Sequence, residues 1–335
     1  TAALSAAEVD RLFEVIRTLT SQQAAILFIS HRLEEVFAIC QTVTVMRDGK
    51  HVMTSDLAGL TANDLVRAMV GRELAERPPE AAGAEPGEPV LTVDRLTREG
   101  VFTGISLTVR SGEIVALAGL VGSGRSEVAR AVFGIDRYDA GNITINGQKL
   151  KKASPTAAMA AGIGFVPEDR RQQGLVMDMS VQQNVALASL GNLERGGLIR
   201  AKAERAMASD WAARLKIKYG RLTDPVAMLS GGNQQKVVLA KWLGRKPRLL
   251  IVDEPTRGID VGTKAEVHRL LTDLARDGVA VLMISSELPE VLGVADRILV
   301  MREGRLAAEF SHADATEEAL MSAAMGQHEA SRGTL

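Results

Sequence analysis

Residues 113–130 read EIVALAGLVGSGRSEVAR, and this stretch decides the fold class. An apolar, strand-like run ends at Gly119, a turn with two further glycines follows, and a helical stretch begins near Ser126. A buried strand, a glycine-rich turn and a helix in this order form the setting in which backbone N–H groups and a helix N-terminus bind phosphate. The stretch therefore predicts an α/β domain with a phosphate-binding loop over 119–126. An ordinary strand-to-helix turn is the alternative for this motif alone.

One position of this loop departs from the usual phosphate-loop pattern. In G-x-x-x-x-G-K-[ST] the last residue but one is lysine, and here it is Arg125. Arginine keeps the positive charge but replaces a compact ammonium group with a planar fork. We therefore expect phosphate binding to be retained and the chemistry at this loop to be impaired. The candidate nucleotide-binding residues of the loop are Gly119, Leu120, Val121, Gly122, Ser123, Gly124, Arg125 and Ser126.

Composition places the chain among globular proteins. Its 335 residues are 46% hydrophobic and 24% charged, and this length predicts two domains. Forty basic and forty-one acidic side chains leave a formal net charge of −1, so charge indicates neither a nucleic-acid partner nor an anionic membrane surface. No apolar run approaches the ~20 residues that span a bilayer. Cys40 is the only cysteine, which excludes an internal disulfide.

The chain repeats itself at a constant offset. When Thr1 is aligned with Thr256, which lies 255 positions later, AAILFISHRLEEVFAICQTVTVMRDGK falls on VAVLMISSELPEVLGVADRILVMREGR without a gap. Such a repeat indicates tandem domains of one fold. We interpret residues 1–72 as the C-terminal remnant of a first domain, 73–89 as a Pro-rich linker, 90–327 as a complete second domain and 328–335 as a tail.

The first copy lacks a part that the second copy has. Thr256 follows the strand-like run LLIVDEP, whereas nothing precedes Thr1, so we expect the start of the first domain to lie outside this chain. The strand predicted over 24–30, AAILFIS, would then lack its neighbours in a sheet. Residues 1–71 should consequently expose apolar surface.

Two further motifs carry acidic and anion-binding groups. LLIVDEPTRGID places Asp253 and Glu254 at the end of an apolar strand, where the ligand crevice of a parallel sheet lies. Asp253 is a candidate magnesium ligand together with the hydroxyl of Ser126, and Glu254 is a candidate general base. A helix N-cap is the alternative for these acids. In LSGGNQQKVVLAKWL, Ser230, Gly231 and Gly232 open a helix, which predicts either an anion-binding end or a simple cap.

In this order the three motifs resemble the nucleotide-binding domain of ATP-binding cassette (ABC) proteins. More narrowly, GFVPEDRRQQGLV, LSGGNQQKV, DEPTRGIDVGTK and ISSELPEVLGVADRILVMREG are similar to the second domain of the tandem ATPase subunits of ribose, galactoside and xylose importers. The resemblance implies a P-loop α/β fold with a parallel sheet core, a helical signature subdomain and a small antiparallel β part. It also implies ATP and Mg²⁺ as cofactors, and ATP hydrolysis coupled to sugar import at the cytoplasmic face of the membrane. The implied partners are membrane permease subunits, a periplasmic or extracellular sugar-binding protein and a second ABC domain.

In this family two domains sandwich two nucleotides, each held by the loop of one domain and the Ser-Gly-Gly signature of the other. The resemblance implies that Glu254 acts on the attacking water and that His31, in FISHRLEEV, contacts the γ-phosphate of the other site. Ser286 stands where the family usually has that histidine, and Glu168 stands where many relatives have glutamine. The further implied nucleotide-binding residues are Glu168, Ser230, Gly231, Gly232, Asp253, Asp260 and Ser286.

These departures lead to a specific expectation for the chain. We expect it to bind ATP at 119–126 but to hydrolyse it slowly or not at all by itself, whereas a complete tandem subunit would drive sugar import. Two other interpretations stay open. A soluble ABC ATPase of DNA repair or translation would carry long charged insertions, but Gly124 and Ser230 are only 106 positions apart. A truncated, non-hydrolysing regulatory or inert module is favoured by the missing first loop. Phe102 is either an adenine-stacking or a core residue.

Overall fold

A computed structural model of the protein describes residues 6–30, 33–47, 50–70 and 87–326. Contacts divide the chain into two compact units, Thr1–Glu76 with Gly258–Glu266, and Arg77–Arg257 with Val267–Leu335. Most of the predicted linker, the whole predicted tail and the candidate residue His31 lie outside the described residues. Within those residues, no helix combines the length and the apolar character that crossing a bilayer requires.

The described residues of the first unit form one short hairpin and two small apolar clusters. Its elements are helices α1 (Ala6–Ser21), α2 (Leu33–Ile39) and α3 (Ala62–Val70) and strands β1 (Thr42–Arg47) and β2 (Lys50–Asp56). The strands pair with each other antiparallel. One cluster packs Val36, Val45, Leu57 and Leu65, and the other packs Val9, Phe13 and Ile16.

The strand predicted over 24–30 was wrong. This segment has no regular secondary structure, and the side chains of Leu27 and Ile29 are 89% and 87% exposed. Phe28 alone of the segment packs against the cluster around Phe13. The physical reason is the lack of pairing partners: the corresponding strand at 280–284 is paired on both sides, by the strands at 114–119 and 249–253, and the described part of the first unit contains no counterpart of either. The expected exposure of apolar surface is confirmed.

The second unit contains the remaining strands and helices of the described residues, apart from residues 261–266, which begin helix α10 and belong to the first unit. Its strands are β3 (Pro89–Arg98), β4 (Phe102–Arg110), β5 (Ile114–Gly119), β6 (Ala140–Ile145), β7 (Gln148–Lys149), β8 (Ile163–Val166), β9 (Glu194–Arg195), β10 (Leu198–Ile199), β11 (Leu249–Asp253), β12 (Ala280–Ile284), β13 (Arg297–Arg302) and β14 (Arg305–Ser311). The helices that follow α3 are α4 (Arg125–Phe133), α5 (Pro155–Ala160), α6 (Val181–Ala186), α7 (Leu190–Leu193), α8 (Ala201–Arg214), α9 (Gly231–Leu243), α10 (Val261–Arg276), α11 (Leu288–Val294) and α12 (Glu317–Met325).

A six-stranded sheet forms the core of the second unit, in the spatial order β14-β13-β5-β12-β11-β8. Five of these strands are parallel, and β14 is antiparallel to β13 at the edge. Every residue of β5, β11 and β12 is buried. Strands of a parallel sheet are covered on both faces, which is why these sequences are continuous apolar runs without alternation. The predicted parallel α/β core is confirmed.

Two smaller parts complete the second unit. Strands β4, β3, β6 and β7 form a four-stranded antiparallel sheet in that order. Helices α6, α8 and α9 pack on one another as a helical part. Both agree with the predicted antiparallel and helical subdomains. Phe102 begins β4 and is fully buried, so it is a core residue.

The sequence repeat is reproduced element by element. Each of α1, α2, β1, β2 and α3 has a counterpart with the same bounds 255 positions later, namely α10, α11, β13, β14 and α12. Even the irregularity in the hairpin recurs, between Val45 and Met46 in one copy and between Val300 and Met301 in the other. The repeated residues therefore form the same local structure. The counterpart of segment 24–30 is β12, which lies between β5 and β11.

Candidate nucleotide-binding site

The phosphate loop lies between β5 and α4, as predicted. Gly119, Gly122 and Gly124 have φ angles of 145°, 83° and 96°, which residues with a side chain rarely adopt. A Cβ at Gly119 would lie 2.3 Å from the carbonyl oxygen of Met301, so the loop packs directly on the neighbouring strand. At Gly122 a Cβ would meet no atom within 4 Å. The outer side of the turn is thus an open, backbone-lined space that leads into the N-terminus of α4, which suits an anion.

Ser126 and Asp253 meet beneath this loop. The Ser126 hydroxyl donates a hydrogen bond of 3.0 Å to the carboxylate of Asp253, whose side chain is 2% exposed at the end of β11. Burial raises the pKa of Asp253 to about 6, because the Ser126 hydrogen bond and the Arg125 charge offset only part of the lost hydration. A bound cation would relieve this cost.

The donor set of this pair fits Mg²⁺. Magnesium prefers hard oxygen ligands and usually takes one or two side chains together with phosphate oxygens and water. A hydroxyl and a buried carboxylate in hydrogen-bond contact are ligands of that kind. Elsewhere in the described residues, no group of three or more His, Cys, Asp or Glu side chains converges as a metal site.

Glu254 follows Asp253 and has a strained, left-handed backbone conformation. Its φ is 45°, and its backbone N–H donates to the carbonyl of Ile284 across 2.9 Å. Burial raises the pKa of Glu254, although hydrogen bonds from Ser286 and the charge of Arg125 oppose the shift. A carboxylate with a raised pKa is closer to the proton affinity that a general base needs. The structure thus brings together the predicted residues Glu254 and Ser286.

Arg125 occupies the lysine position of the loop, and its side chain is turned into the protein. The guanidinium donates a 2.5 Å hydrogen bond to the carbonyl of Ser285, and its other terminal nitrogen lies 3.8 Å from a carboxylate oxygen of Glu254. The side chain is 7% exposed. Burial lowers the pKa of Arg125, and the Glu254 carboxylate opposes that shift. The guanidinium of Arg125 therefore lies beside the carboxylate of Glu254, the candidate general base.

Sequence reasoning missed a buried carboxylate behind the site. Glu290 accepts hydrogen bonds from Thr256 at 2.7 Å and from Ser285 at 2.6 Å, and it contacts His268 at 2.7 Å. Thr256 lies two residues after Glu254, beyond the end of β11, and Ser285 directly precedes Ser286, beyond the end of β12. Glu290 therefore ties the ends of β11 and β12 to helix α10. The available signal was one acidic residue inside the otherwise apolar run LPEVLGVA.

Ser230, Gly231 and Gly232 open helix α9, as predicted. Ser230 is the N-cap residue, but its hydroxyl accepts no hydrogen bond from a backbone N–H group of the first turn. It accepts instead from the Asn233 side chain at 2.9 Å, and Asn233 also accepts from the backbone N–H of Lys218 at 2.8 Å. Ser230 is exposed. The reading of this residue as a simple cap is therefore not supported by its hydrogen bonds.

The remaining candidates lie on other segments. Glu168 follows β8 and forms an ion pair with Arg257, whose carbonyl also accepts a 2.8 Å hydrogen bond from Arg170. Asp260 accepts hydrogen bonds from the backbone and the hydroxyl of Thr263, at 3.0 Å and 2.7 Å, in the first turn of α10. Glu168 is thus connected to the segment after β11, whereas Asp260 has the contacts of a helix cap.

Comparisons with known proteins agree with this arrangement. Residues 102–257 match the sequence model of the family described as "ABC transporter". The chain is 64% identical over 327 residues to the "Ribose import ATP-binding protein RbsA 1" of Streptomyces coelicolor, covering 98% of this chain and 65% of the relative. It is 59% identical over 330 residues to the "Ribose import ATP-binding protein RbsA" of Rhodococcus jostii, again covering 98% and 65%. The chain thus spans slightly less than two thirds of each relative's length.

The fold has a counterpart among solved structures. A structure described as the "dimeric structure of a post-hydrolysis state of the ATP-binding cassette MJ0796 bound to ADP and Pi" superposes with a TM-score of 0.59 at 23% identity. The superposed region covers 66% of this chain and 98% of the solved chain, which shows that this region has the same fold. The family match and the fold together show that residues 102–257 form a domain of the ABC transporter family, and the two relatives are similar to the chain over 98% of its length.

Proposed function

We propose that this chain is the ATP-binding part of an ABC importer for a simple sugar, and that its own loop binds ATP while hydrolysing it slowly or not at all. The observation that carries the proposal is the Ser126–Asp253 pair beneath the open glycine loop. Ribose import, which the names of the two relatives state for those proteins, supports a monosaccharide as the cargo. The proposed partners are membrane permease subunits, a sugar-binding protein and a second ABC domain, with the chain at the cytoplasmic face of the membrane.

The residues of the site would divide the work as follows. The backbone N–H groups of 119–126 and the N-terminus of α4 bind the phosphates. Ser126 and Asp253 would hold Mg²⁺, which supplies neutralisation of the phosphate charge when it is bound. Glu254 has the placement and the raised pKa of a proton acceptor for water. Its contact with Arg125 limits that role, because the guanidinium stabilises the charged, proton-free carboxylate and weakens its basicity.

A second ABC domain would complete the sites. The solved cassette dimer with ADP and Pi supports a shared arrangement for proteins of this fold. In this proposal the exposed Ser230 and the start of α9 face a nucleotide held by the partner domain. His31, which lies outside the described residues, would contact the γ-phosphate in the site of the first domain.

Two matched glycine variants test nucleotide binding at the loop. Gly122→Asp adds a carboxylate to the open side of the turn, and Gly147→Asp adds the same group at a positive φ of 75° in the β6–β7 turn, with equally open surroundings. Isothermal titration calorimetry with Mg²⁺ and ATP should give binding to the parent and to Gly147→Asp, and a loss of at least about tenfold in affinity for Gly122→Asp. Equal affinities for the two variants would refute binding at this loop.

Hydrolysis and the importer role need separate measurements. We expect steady-state ATP turnover well below the ~1 to 10 per second of an ordinary enzyme. Turnover in that range would contradict the proposed weak hydrolysis. Binding of the chain to vesicles that carry its permease subunits, and not to empty vesicles, would support the importer. Failure to bind permease vesicles, with nucleotide binding intact, favours the non-hydrolysing regulatory module.

A further inference from the structure

Arg125, the cation of the phosphate loop, already contacts other protein groups through its guanidinium in the absence of a nucleotide. Arg125 Nη1 donates to the Ser285 carbonyl at 2.5 Å, and Nη2 lies 3.8 Å from Glu254 Oε1. The two side chains are only 7% and 11% exposed, so little water shares the pair. In ordinary loops the side chain at this position reaches the β- and γ-phosphates. Here both terminal nitrogens of the guanidinium have partners on the ends of β11 and β12.

If the Arg125 guanidinium moved to bind a phosphate, the buried carboxylate of Glu254 would lose its ion-pair partner. Apart from Arg125, the groups that lower the pKa of Glu254 are the neutral side chain and backbone of Ser286. Among the described residues, Arg125 is the cation that acts on Glu254, so without it this buried carboxylate would have only the Ser286 hydrogen bonds to offset its lost hydration. The Ser285 carbonyl would also lose a charge-assisted donor. The side chain is therefore held in place by both contacts.

The consequence concerns the terminal phosphate of a bound nucleotide. The α- and β-phosphates can be held by the backbone of the loop and by Mg²⁺, neither of which requires a contact from the Arg125 side chain. A γ-phosphate gains no cation from the loop and would lie near the negative charge of Glu254. The additional attraction that favours a triphosphate over a diphosphate is thus missing.

We propose that the Arg125–Glu254 pair makes this a site that binds nucleoside diphosphate about as tightly as nucleoside triphosphate. The pair sets γ-phosphate selectivity, and the site keeps its nucleotide whether or not the terminal phosphate is present. This inference rests on the proposed binding of nucleotide at 119–126. A merely structural role of the pair, in which it holds the ends of β11 and β12 together, would leave the preference between ATP and ADP unchanged on mutation.

The test measures the ratio of the dissociation constants for ADP and ATP by isothermal titration calorimetry with excess Mg²⁺. In the parent chain we expect the two constants to agree within about threefold. Arg125→Lys supplies a compact ammonium group that cannot bridge both partners, and Glu254→Gln removes the charge that retains Arg125. Each variant should shift the ratio towards ATP by about tenfold or more, the worth of one charge-assisted hydrogen bond.

A control and a second variant keep the test decisive. Arg297→Lys makes the same exchange in an ion pair with Glu113 and Glu309 outside the site, and it should leave the ratio unchanged. If Arg125→Lys does not fold, as judged by circular dichroism, Glu254→Gln alone carries the test. A parent chain that prefers ATP by tenfold, or variants that leave the ratio as it is, would overturn the inference while nucleotide binding stands. Absence of binding for both nucleotides would instead refute the proposed function.

Discussion

The buried carboxylate of Glu290 should be a large single contributor to the stability of the second unit. It receives two hydroxyl hydrogen bonds and one contact from His268, all at 2.6 to 2.7 Å, and it is 4% exposed. Hydrogen bonds to a charged group contribute about 1.5 to 3 kcal/mol each. Because the hydroxyls of Thr256 and Ser285 can rotate towards other acceptors, we take the low end for each of the three partners, which gives about 4.5 kcal/mol for Glu290→Ala. Glu290→Gln keeps the shape and one acceptor oxygen, so we expect about 2 kcal/mol.

Urea unfolding followed by tryptophan fluorescence measures this loss. Both tryptophans of the chain, Trp211 and Trp242, lie in the second unit, so the signal reports that unit alone. Glu318→Ala, an exposed acid in the first turn of α12, is the matched control and should cost at most about 1 kcal/mol. A cost below about 1 kcal/mol for Glu290→Ala would refute the reasoning, since two buried hydroxyls and the half-buried His268 would lose a charged acceptor.

The same network predicts a pH dependence with a definite sign. Burial by itself would raise the pKa of Glu290, but the hydrogen bonds and charge of His268 and the two hydroxyl donors lower it below the ordinary value of 4.5. A carboxyl whose folded pKa is lowered stabilises the protein above its unfolded pKa and loses that contribution as the pH falls through the folded value. The stability difference between the parent and Glu290→Gln should therefore shrink as the pH falls below about 4.5.

Two further predictions concern the loop and the helical part. Gly119→Ala would place a Cβ 2.3 Å from the Met301 carbonyl oxygen and should lower the free energy of unfolding, measured in urea, by roughly 3 kcal/mol. The control Gly147→Ala, with a positive φ but open surroundings, should lower it by about 1 kcal/mol. Equal losses would contradict the close approach at Gly119. Burial lowers the pKa of Lys241, which donates to the Gly174 carbonyl, to about 8 from 10.5. Because the unfolded chain then binds more protons than the folded one between these values, the free energy of unfolding should rise with pH across that window. Lys241→Met should lack this rise, and an identical slope in both proteins would show that Lys241 is not responsible.

Much of the site could be predicted because its signals are local. The apolar run before Gly119 and the helical stretch after it determine a strand, a turn and a helix within 18 residues, and the structure has all three. The position of Asp253 follows from another apolar run that ends at the same edge of a parallel sheet. The repeat is equally local in origin, since corresponding residues form helices and strands with the same bounds in both copies.

What local patterns could not predict depends on partners distant in the chain. Segment 24–30 has the composition of a strand, yet it pairs with no strand in the described part of its unit, because a strand requires a neighbouring strand and composition does not provide one. The direction of Arg125 likewise follows from the Ser285 carbonyl, 160 positions away, and from Glu254. Residue types therefore identify a phosphate loop in the sequence, whereas the folded arrangement determines where its one charged side chain points. Backbone conformation is set by neighbours along the chain, but the energy of a buried charge is set by whatever the fold places around it.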